Sequence, residues 1–187
     1  DYTYNDIKQY NRNKLLREDP SVDGLKTGYT SEAGYGLVAS AKRGDMRLIS
    51  VVLGTSSPTA RKNETRSLLN YGFRFYETAR LLDAEEELEK PRVWKGQADY
   101  ASVGVLDEIV LTLPRGKRQQ VEQRVALVDD IEAPLAVGDS VGTLTLLLDG
   151  ELLYQRPVVA LEAVAPGGFF ARLWDIILMW LARLFGA

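Results

Sequence analysis

The chain has 187 residues, 45% apolar and 26% charged, the composition of a folded chain of one large or two small domains rather than a disordered one. Its 23 basic and 26 acidic residues leave a formal charge of −3, which gives no support to nucleic-acid binding by bulk electrostatics. It has no cysteine, hence no disulfide or thiolate metal site, and no histidine, hence no Ser-His-Asp triad, Cys-His pair or His-based metal site. Proton transfer in this chain falls to Lys, Tyr, a carboxylate or water, and no metal or cofactor is expected.

The first residues, Asp1-Tyr2-Thr3-Tyr4, carry neither an initiating Met nor an apolar leader, and the chain reads as the later part of a longer polypeptide. Residues 1–22 are polar and irregular, with a turn at Asp19-Pro20, and read as surface loop. From Asp23 the pattern turns strand-like. Lys26-Thr27-Gly28 reads as the edge strand of a sheet that lines a cleft. Lys26 places a fixed positive charge there, Thr27 offers a hydroxyl, and Gly28 lets a substrate backbone lie close. Tyr35 to Ala41 and Arg47 to Gly54, separated by the turn Lys42-Arg43-Gly44-Asp45, are further strands, most simply in an antiparallel meander.

Ser57-Pro58 reads as an N-cap followed by proline at the first helical position. The helix is expected to run to about Leu82, with an apolar face of Leu68, Leu69, Gly72, Phe75, Tyr76 and Ala79 and with most of Arg61, Lys62, Glu64 and Arg66 solvated. The acidic run Asp83-Ala84-Glu85-Glu86-Glu87 is a hinge or a frayed helix end. Beyond it lie short strands at Arg92 to Trp94, Glu108 to Leu113, Val121 to Val128, Val141 to Leu148 and Glu151 to Val159. Asp149-Gly150 between the last two is a strong hairpin signal. The spacing predicts a small antiparallel sandwich or barrel.

After Pro166-Gly167-Gly168 comes an apolar segment. At 100° per residue Arg172, Asp175 and Arg183 share one narrow face with Ala171, Met179 and Ala182. Phe170, Leu173, Trp174, Ile177, Leu181, Leu184 and Phe185 cover the opposite side, and Phe169 leads into it. Each charge would cost roughly 2.5–3.5 kcal/mol near a bilayer centre, which argues against a spanning helix. A helix in the membrane interface keeps the charges wet, and its apolar side chains contribute on the order of 10 kcal/mol before ordering costs. Packing on the β-rich region is the alternative. The interfacial reading is preferred because the segment is terminal, follows a glycine-rich break and carries two tryptophans.

These parts together resemble the penicillin-binding protein 5 type of D-alanyl-D-alanine carboxypeptidase. The residues that carry the resemblance are Asn11-Arg12-Asn13, Val22 to Gly28, Leu37 to Ala41 and Arg47-Leu48-Ile49, then the β-rich region and the amphipathic segment from Gly167-Gly168-Phe169-Phe170, in that order. Lys-Thr-Gly is one of three short motifs of penicillin-binding proteins and serine β-lactamases. The resemblance implies an α+β fold: residues 1–86 as the C-terminal part of a transpeptidase/β-lactamase-like catalytic domain, residues 87–164 as a small all-β sandwich, and residues 165–187 as an amphipathic membrane anchor.

It also implies a serine-type carboxypeptidase that removes the terminal D-Ala from peptidoglycan pentapeptides, is acylated by β-lactams, serves cell-wall synthesis and cell shape, and sits in the periplasm on the outer face of the inner membrane. By that resemblance Lys26 neutralises the substrate carboxylate and tunes the proton network, and Thr27 hydrogen-bonds that carboxylate. Gly28 permits close strand approach, and Arg61 lies near the same carboxylate. Tyr29 stands where relatives often have His; a backbone N–H in an oxyanion hole would tolerate the change. The family's Ser-x-x-Lys and Ser-x-Asn motifs are absent from the 187 residues. The chain alone is therefore expected to be inactive, with a missing N-terminal portion as partner. The alternative is a non-catalytic, membrane-anchored β domain acting as spacer or docking module. A β-lactamase is discounted, because it has no use for the second domain and anchor.

Overall fold

The computed structural model describes the backbone of residues 1–185 and side chains as far as Leu181. Two compact units are present. One comprises Asp1–Ala79 and Thr112–Arg115, the other Arg80–Leu111 and the chain from Gly116.

The first unit opens with a hairpin of β1 (Tyr2–Tyr4) and β2 (Ile7–Gln9), where an irregular loop is expected from sequence. Its turn residues, Asn5 and Asp6, have φ of 46° and 59°, the left-handed conformation that short Asx side chains tolerate. A single helical turn, α1 (Leu15–Glu18), follows and buries Leu15 completely. Strands β3 (Val22–Thr30), β4 (Gly34–Arg43) and β5 (Met46–Thr55) form the antiparallel meander, in the order β3-β4-β5, with β3 at one edge.

Helix α2 (Pro58–Phe75) starts as the Ser57-Pro58 signal predicts: Ser57 Oγ accepts the Ala60 N–H at 3.0 Å. Its inward face is Arg61, Thr65, Leu69 and Phe73; of the expected stripe Leu69 and Gly72 face the sheet, whereas Leu68 and Phe75 are exposed. The helix lies on the sheet at Gly72, where an added Cβ would stand 2.5 Å from Leu48 Cδ1, and that contact sets its rotation. With α1 and the sheet it closes a core of Leu15, Val22, Leu37, Ala39, Ala41, Met46, Leu69 and Phe73.

The helix ends at Phe75, seven residues before the expected boundary at Leu82, and residues Tyr76–Leu82 become β6. The cause is distant in sequence. Arg115 donates to the carbonyls of Phe73, Arg74 and Tyr76 at 2.9, 3.2 and 3.2 Å, satisfying the C-terminal acceptors that a helix otherwise leaves open.

In the second unit the strands are β7 (Glu87–Glu89), β8 (Val93–Trp94), β9 (Val103–Gly104), β10 (Ile109–Pro114) as far as Leu111, β11 (Val121–Leu127), β12 (Ile131–Glu132), β13 (Ser140–Leu148) and β14 (Glu151–Ala160). A five-stranded sheet has the order β11-β13-β14-β9-β7, β12 pairs parallel with β8, and β10 pairs with β6. The acidic run supplies the turn between β6 and β7, Asp83 to Glu86, and Glu87 opens β7. The β13–β14 hairpin turns at Asp149 and Gly150, with φ of 52° and 83°, as an Asp-Gly turn requires. Leu144, Leu146, Val103, Val105, Val158 and Ala160 are the centre of its core, and Leu144 is fully buried.

Helix α3 (Phe169–Phe185) belongs to this unit, and its charged side is covered at Asp175 and Met179, with Arg172 exposed. Asp175 is ion-paired with Arg92 and Met179 is buried. Phe169, Phe170, Leu173, Trp174 and Ile177 are exposed and Leu181 is half-buried, whereas Leu184 and Phe185 lie beyond the described side chains. Packing on the β domain, the alternative to the interfacial reading, is thus present on one side of α3, while most of the described apolar side chains on the other side are exposed. Among the described residues no helix is long and apolar enough to cross a membrane.

Candidate active site

Cross-strand register places the side chains of β3 on two faces. Lys26 pairs with Val38 and Val38 with Val51, while Thr27 pairs with Leu37 and Tyr29 with Tyr35. Partners in an antiparallel ladder share a face. Thr27 and Tyr29 therefore share the α2 side of the sheet with buried Leu37. Lys26 points to the other side, which also carries Ile49, Val51 and Leu53.

On the α2 side lies a cleft of about 450 Å³ lined by Arg12, Lys14, Thr27, Gly28, Tyr29, Tyr35, Pro58 and Arg61. Asn13, between the lining residues Arg12 and Lys14, anchors their loop. Its side chain is buried, with Nδ2 donating to the Gly24 carbonyl at 3.2 Å and Oδ1 accepting the Leu15 N–H at 3.2 Å. The Asn11 side chain accepts the Asn13 N–H at 2.8 Å. The Asn11-Arg12-Asn13 loop is thus fastened to β3, and Arg12 and Lys14 are carried to the cleft.

Arg61 forms the floor. It is 6% exposed, not solvated like its neighbours on α2. Its Nη1 donates to the carbonyls of Gly28 at 3.2 Å and Gly36 at 3.4 Å, and Nη2 to that of Arg12 at 3.4 Å. One guanidinium therefore ties β3, β4 and the Arg12 loop together from α2. It also lies 5.6 Å from the centroid of the Tyr35 ring. Burial, with Arg12 nearby, lowers its pKa from the ordinary arginine value, and Tyr35 opposes that shift. Arginine remains charged under any such shift.

Tyr29 is exposed and stacks on Tyr35, ring centroids 4.2 Å apart. Lys26 is exposed, and its Nζ donates to the Thr27 carbonyl at 2.7 Å. The fold thus gathers Thr27, Gly28, Tyr29 and Arg61 at one cleft and puts Lys26 on the other face of the same edge strand. An added Cβ on Gly28 would meet nothing within 4 Å, so this stretch of strand is open to an approaching backbone. Three cationic side chains and no carboxylate line the cleft, which makes it an anion acceptor. Arg12, Lys14 and Tyr35 went unrecognised as site residues in the sequence; the Asn-Arg-Asn triplet was the only signal. Among the described residues no cluster of acidic side chains could hold a metal ion.

A Lys-Thr-Gly edge strand, a helix behind it and a β sandwich after it constitute the C-terminal part of a transpeptidase/β-lactamase-like protein. Residues 1–57 match the family described as D-alanyl-D-alanine carboxypeptidase, and residues 76–166 match penicillin-binding protein 5, C-terminal domain. The chain is 42% identical over 189 residues to D-alanyl-D-alanine carboxypeptidase DacC of Escherichia coli K12, with 100% of this chain and 47% of the relative covered. It is 42% identical over 188 residues to DacA of the same organism, again over 100% of this chain and 47% of the relative. The solved structure of penicillin-binding protein 5 from Haemophilus influenzae matches with a TM-score of 0.78 and 40% identity over 88% of this chain and 48% of that one. The chain belongs to the penicillin-binding protein 5 type of D-alanyl-D-alanine carboxypeptidase. It spans about half the length of the curated relatives it matches.

Proposed function

We propose that this chain supplies the substrate strand of a serine D-alanyl-D-alanine carboxypeptidase that removes the terminal D-Ala of peptidoglycan stem peptides and is acylated by β-lactams. The observation that carries the reading is the Lys26-Thr27-Gly28 edge strand beside a cationic cleft. Thr27 Oγ1, Arg61 and Arg12 hold the C-terminal carboxylate. Gly28 admits the peptide backbone as an added strand. Lys26, on the opposite face, sets the charge next to the nucleophile, and Tyr29 bounds the site at its mouth.

The 187 residues contain no Ser-x-x-Lys and no Ser-x-Asn, so the acylating serine and its lysine come from protein outside them. The sheet itself supports this. On the Lys26 face, Ile49, Val51 and Leu53 are 64%, 56% and 74% exposed, an apolar stripe that calls for a covering partner. A nucleophile-bearing portion seated there would face Lys26. The outward apolar face of α3 supports attachment of the second unit to the outer surface of the inner membrane, by a helix lying in the interface.

Intact mass of the natural protein, with and without a reporter penicillin, tests the catalytic reading. One penicillin should add to a polypeptide that associates with or continues this chain, and Lys26→Ala should slow acylation at least 100-fold. Stoichiometric acylation that is indifferent to Lys26→Ala refutes the assignment of Lys26. Absence of any acylated species refutes the enzyme.

A further inference from the structure

The charged side of α3 rests on a turn of the β domain shaped to receive it. Lys95, just after β8, has φ of +61°, a backbone conformation that lysine seldom adopts. In it the Lys95 N–H donates to Asp175 Oδ2 at 2.6 Å, and the Lys95 carbonyl accepts the Gly167 N–H at 2.8 Å. One residue therefore grips both the segment leading into the helix and the helix itself. Arg92 adds Nη2 to Asp175 Oδ1 at 3.3 Å and is held 4.0 Å over the Trp94 ring. The Lys95 ammonium is paired with Glu132 at 2.5 Å. The fit is close: a Cβ on Gly167 would stand 2.7 Å from the Gly96 carbonyl oxygen. One turn further along α3, Met179 is 7% exposed.

Among the described side chains most of the other side of the helix is left bare, with Phe170 at 83%, Trp174 at 61% and Trp180 at 62% exposure. Asp175 is the one acidic residue in the Phe169–Phe185 sequence, and Arg92 offsets it; the remaining charged residues there, Arg172 and Arg183, are basic. The α3 sequence thus carries a net positive charge, with Arg172 exposed on the side away from the apolar face, and that charge favours an anionic phospholipid surface over a neutral or cationic one.

We propose that Asp175 is a latch. It docks α3 on the β domain before any membrane is met, so the apolar face reaches the anionic bilayer already aimed, and the angle of the second unit to that surface is fixed. The inference rests on the membrane reading above. A helix on a loose glycine tether could settle on lipid with its domain in any attitude. A docked helix cannot, and its ordering cost is met on folding rather than on binding.

The test uses the full chain and its Asp175→Ala and Arg92→Gln variants, with vesicles of equal parts phosphatidylglycerol and phosphatidylcholine. Without lipid, the Lys95 amide should be protected from hydrogen exchange. It should exchange at least tenfold faster in Asp175→Ala and by a smaller factor in Arg92→Gln, which keeps the backbone contact. With lipid, brominated chains should quench tryptophan fluorescence in all three proteins, with partitioning within about threefold. Because the chain has no cysteine, Glu122→Cys gives a single labelling site. Energy transfer from it to a lipid-surface acceptor should report one narrow distance for the parent and a broad distribution for Asp175→Ala. An unprotected Lys95 amide in the parent, or equal distance distributions in parent and variant, overturns the latch and leaves the membrane reading standing. Failure of the parent to bind vesicles overturns the membrane reading and the aimed face with it, while Lys95 exchange still decides whether the helix is docked.

Discussion

Arg61→Met removes the cation from the floor of the cleft while keeping most of the side-chain volume. Arg61 is 6% exposed and makes three hydrogen bonds at 3.2, 3.4 and 3.4 Å. Bonds from a charged donor are worth roughly 1.5–3 kcal/mol each, and these are longer than the usual 2.9–3.0 Å, so together they supply about 4 kcal/mol. Methionine avoids the desolvation of a buried cation, the same penalty that lowers the arginine's pKa, and this offsets about 2 kcal/mol. The net loss is about 2 kcal/mol from the first unit, a urea midpoint lower by about 1 M. The assay follows from residue placement. Trp94, Trp174 and Trp180 all belong to the second unit, whereas Tyr29 and Tyr35, stacked beside Arg61, belong to the first. Tyrosine near-ultraviolet dichroism should show the shift and tryptophan fluorescence should not. A tyrosine transition within about 0.2 M of the parent, or a tryptophan transition that moves in its place, refutes the clamp.

Leu144→Ala, at a fully buried site in the five-stranded sheet, should cost about 3–4 kcal/mol and move the tryptophan transition first. Ser57→Ala deletes the α2 N-cap and should cost about 1 kcal/mol, read as a lower tyrosine transition; unchanged stability would mean the Ala60 N–H finds another acceptor. Four carboxylates of the first unit sit below their ordinary range: Glu18 through hydrogen bonds from Lys62 and Arg66, Asp19 chiefly through Ser21, Asp23 chiefly through Arg47, and Glu32 chiefly through Ser31. Groups depressed in the folded state bind fewer protons than the unfolded chain does. Their contribution is present above about pH 4 and is lost as pH falls through the folded values. Urea midpoints of the first unit should fall on acidification below about pH 4, and a midpoint that rises there contradicts the pairing.

Local chemistry wrote much of this protein in its sequence. Lys26-Thr27-Gly28 on a strand, Ser57-Pro58 at a helix start, Asp149-Gly150 at a hairpin and the two-sided pattern of α3 all follow from rules that act within a few residues: β-branching, capping, the left-handed turn and the 100° helical step. What the sequence left open depended on partners far along the chain. Helix α2 stops at Phe75 because Arg115 takes its last carbonyls, and its inward face turns to Arg61 because Gly72 rests on Leu48. By residue pattern Arg61 reads as one of several arginines and lysines, and the family resemblance alone singles it out; only the meeting of β3, β4 and the Asn13-fastened loop buries it and brings Arg12 and Lys14 to the same cleft. Sequence put Arg172, Asp175 and Met179 on one side of α3. Whether that side met water or protein was settled by the left-handed turn at Lys95, because a helix's periodicity states which residues share a face and only the surface opposite states which face is covered.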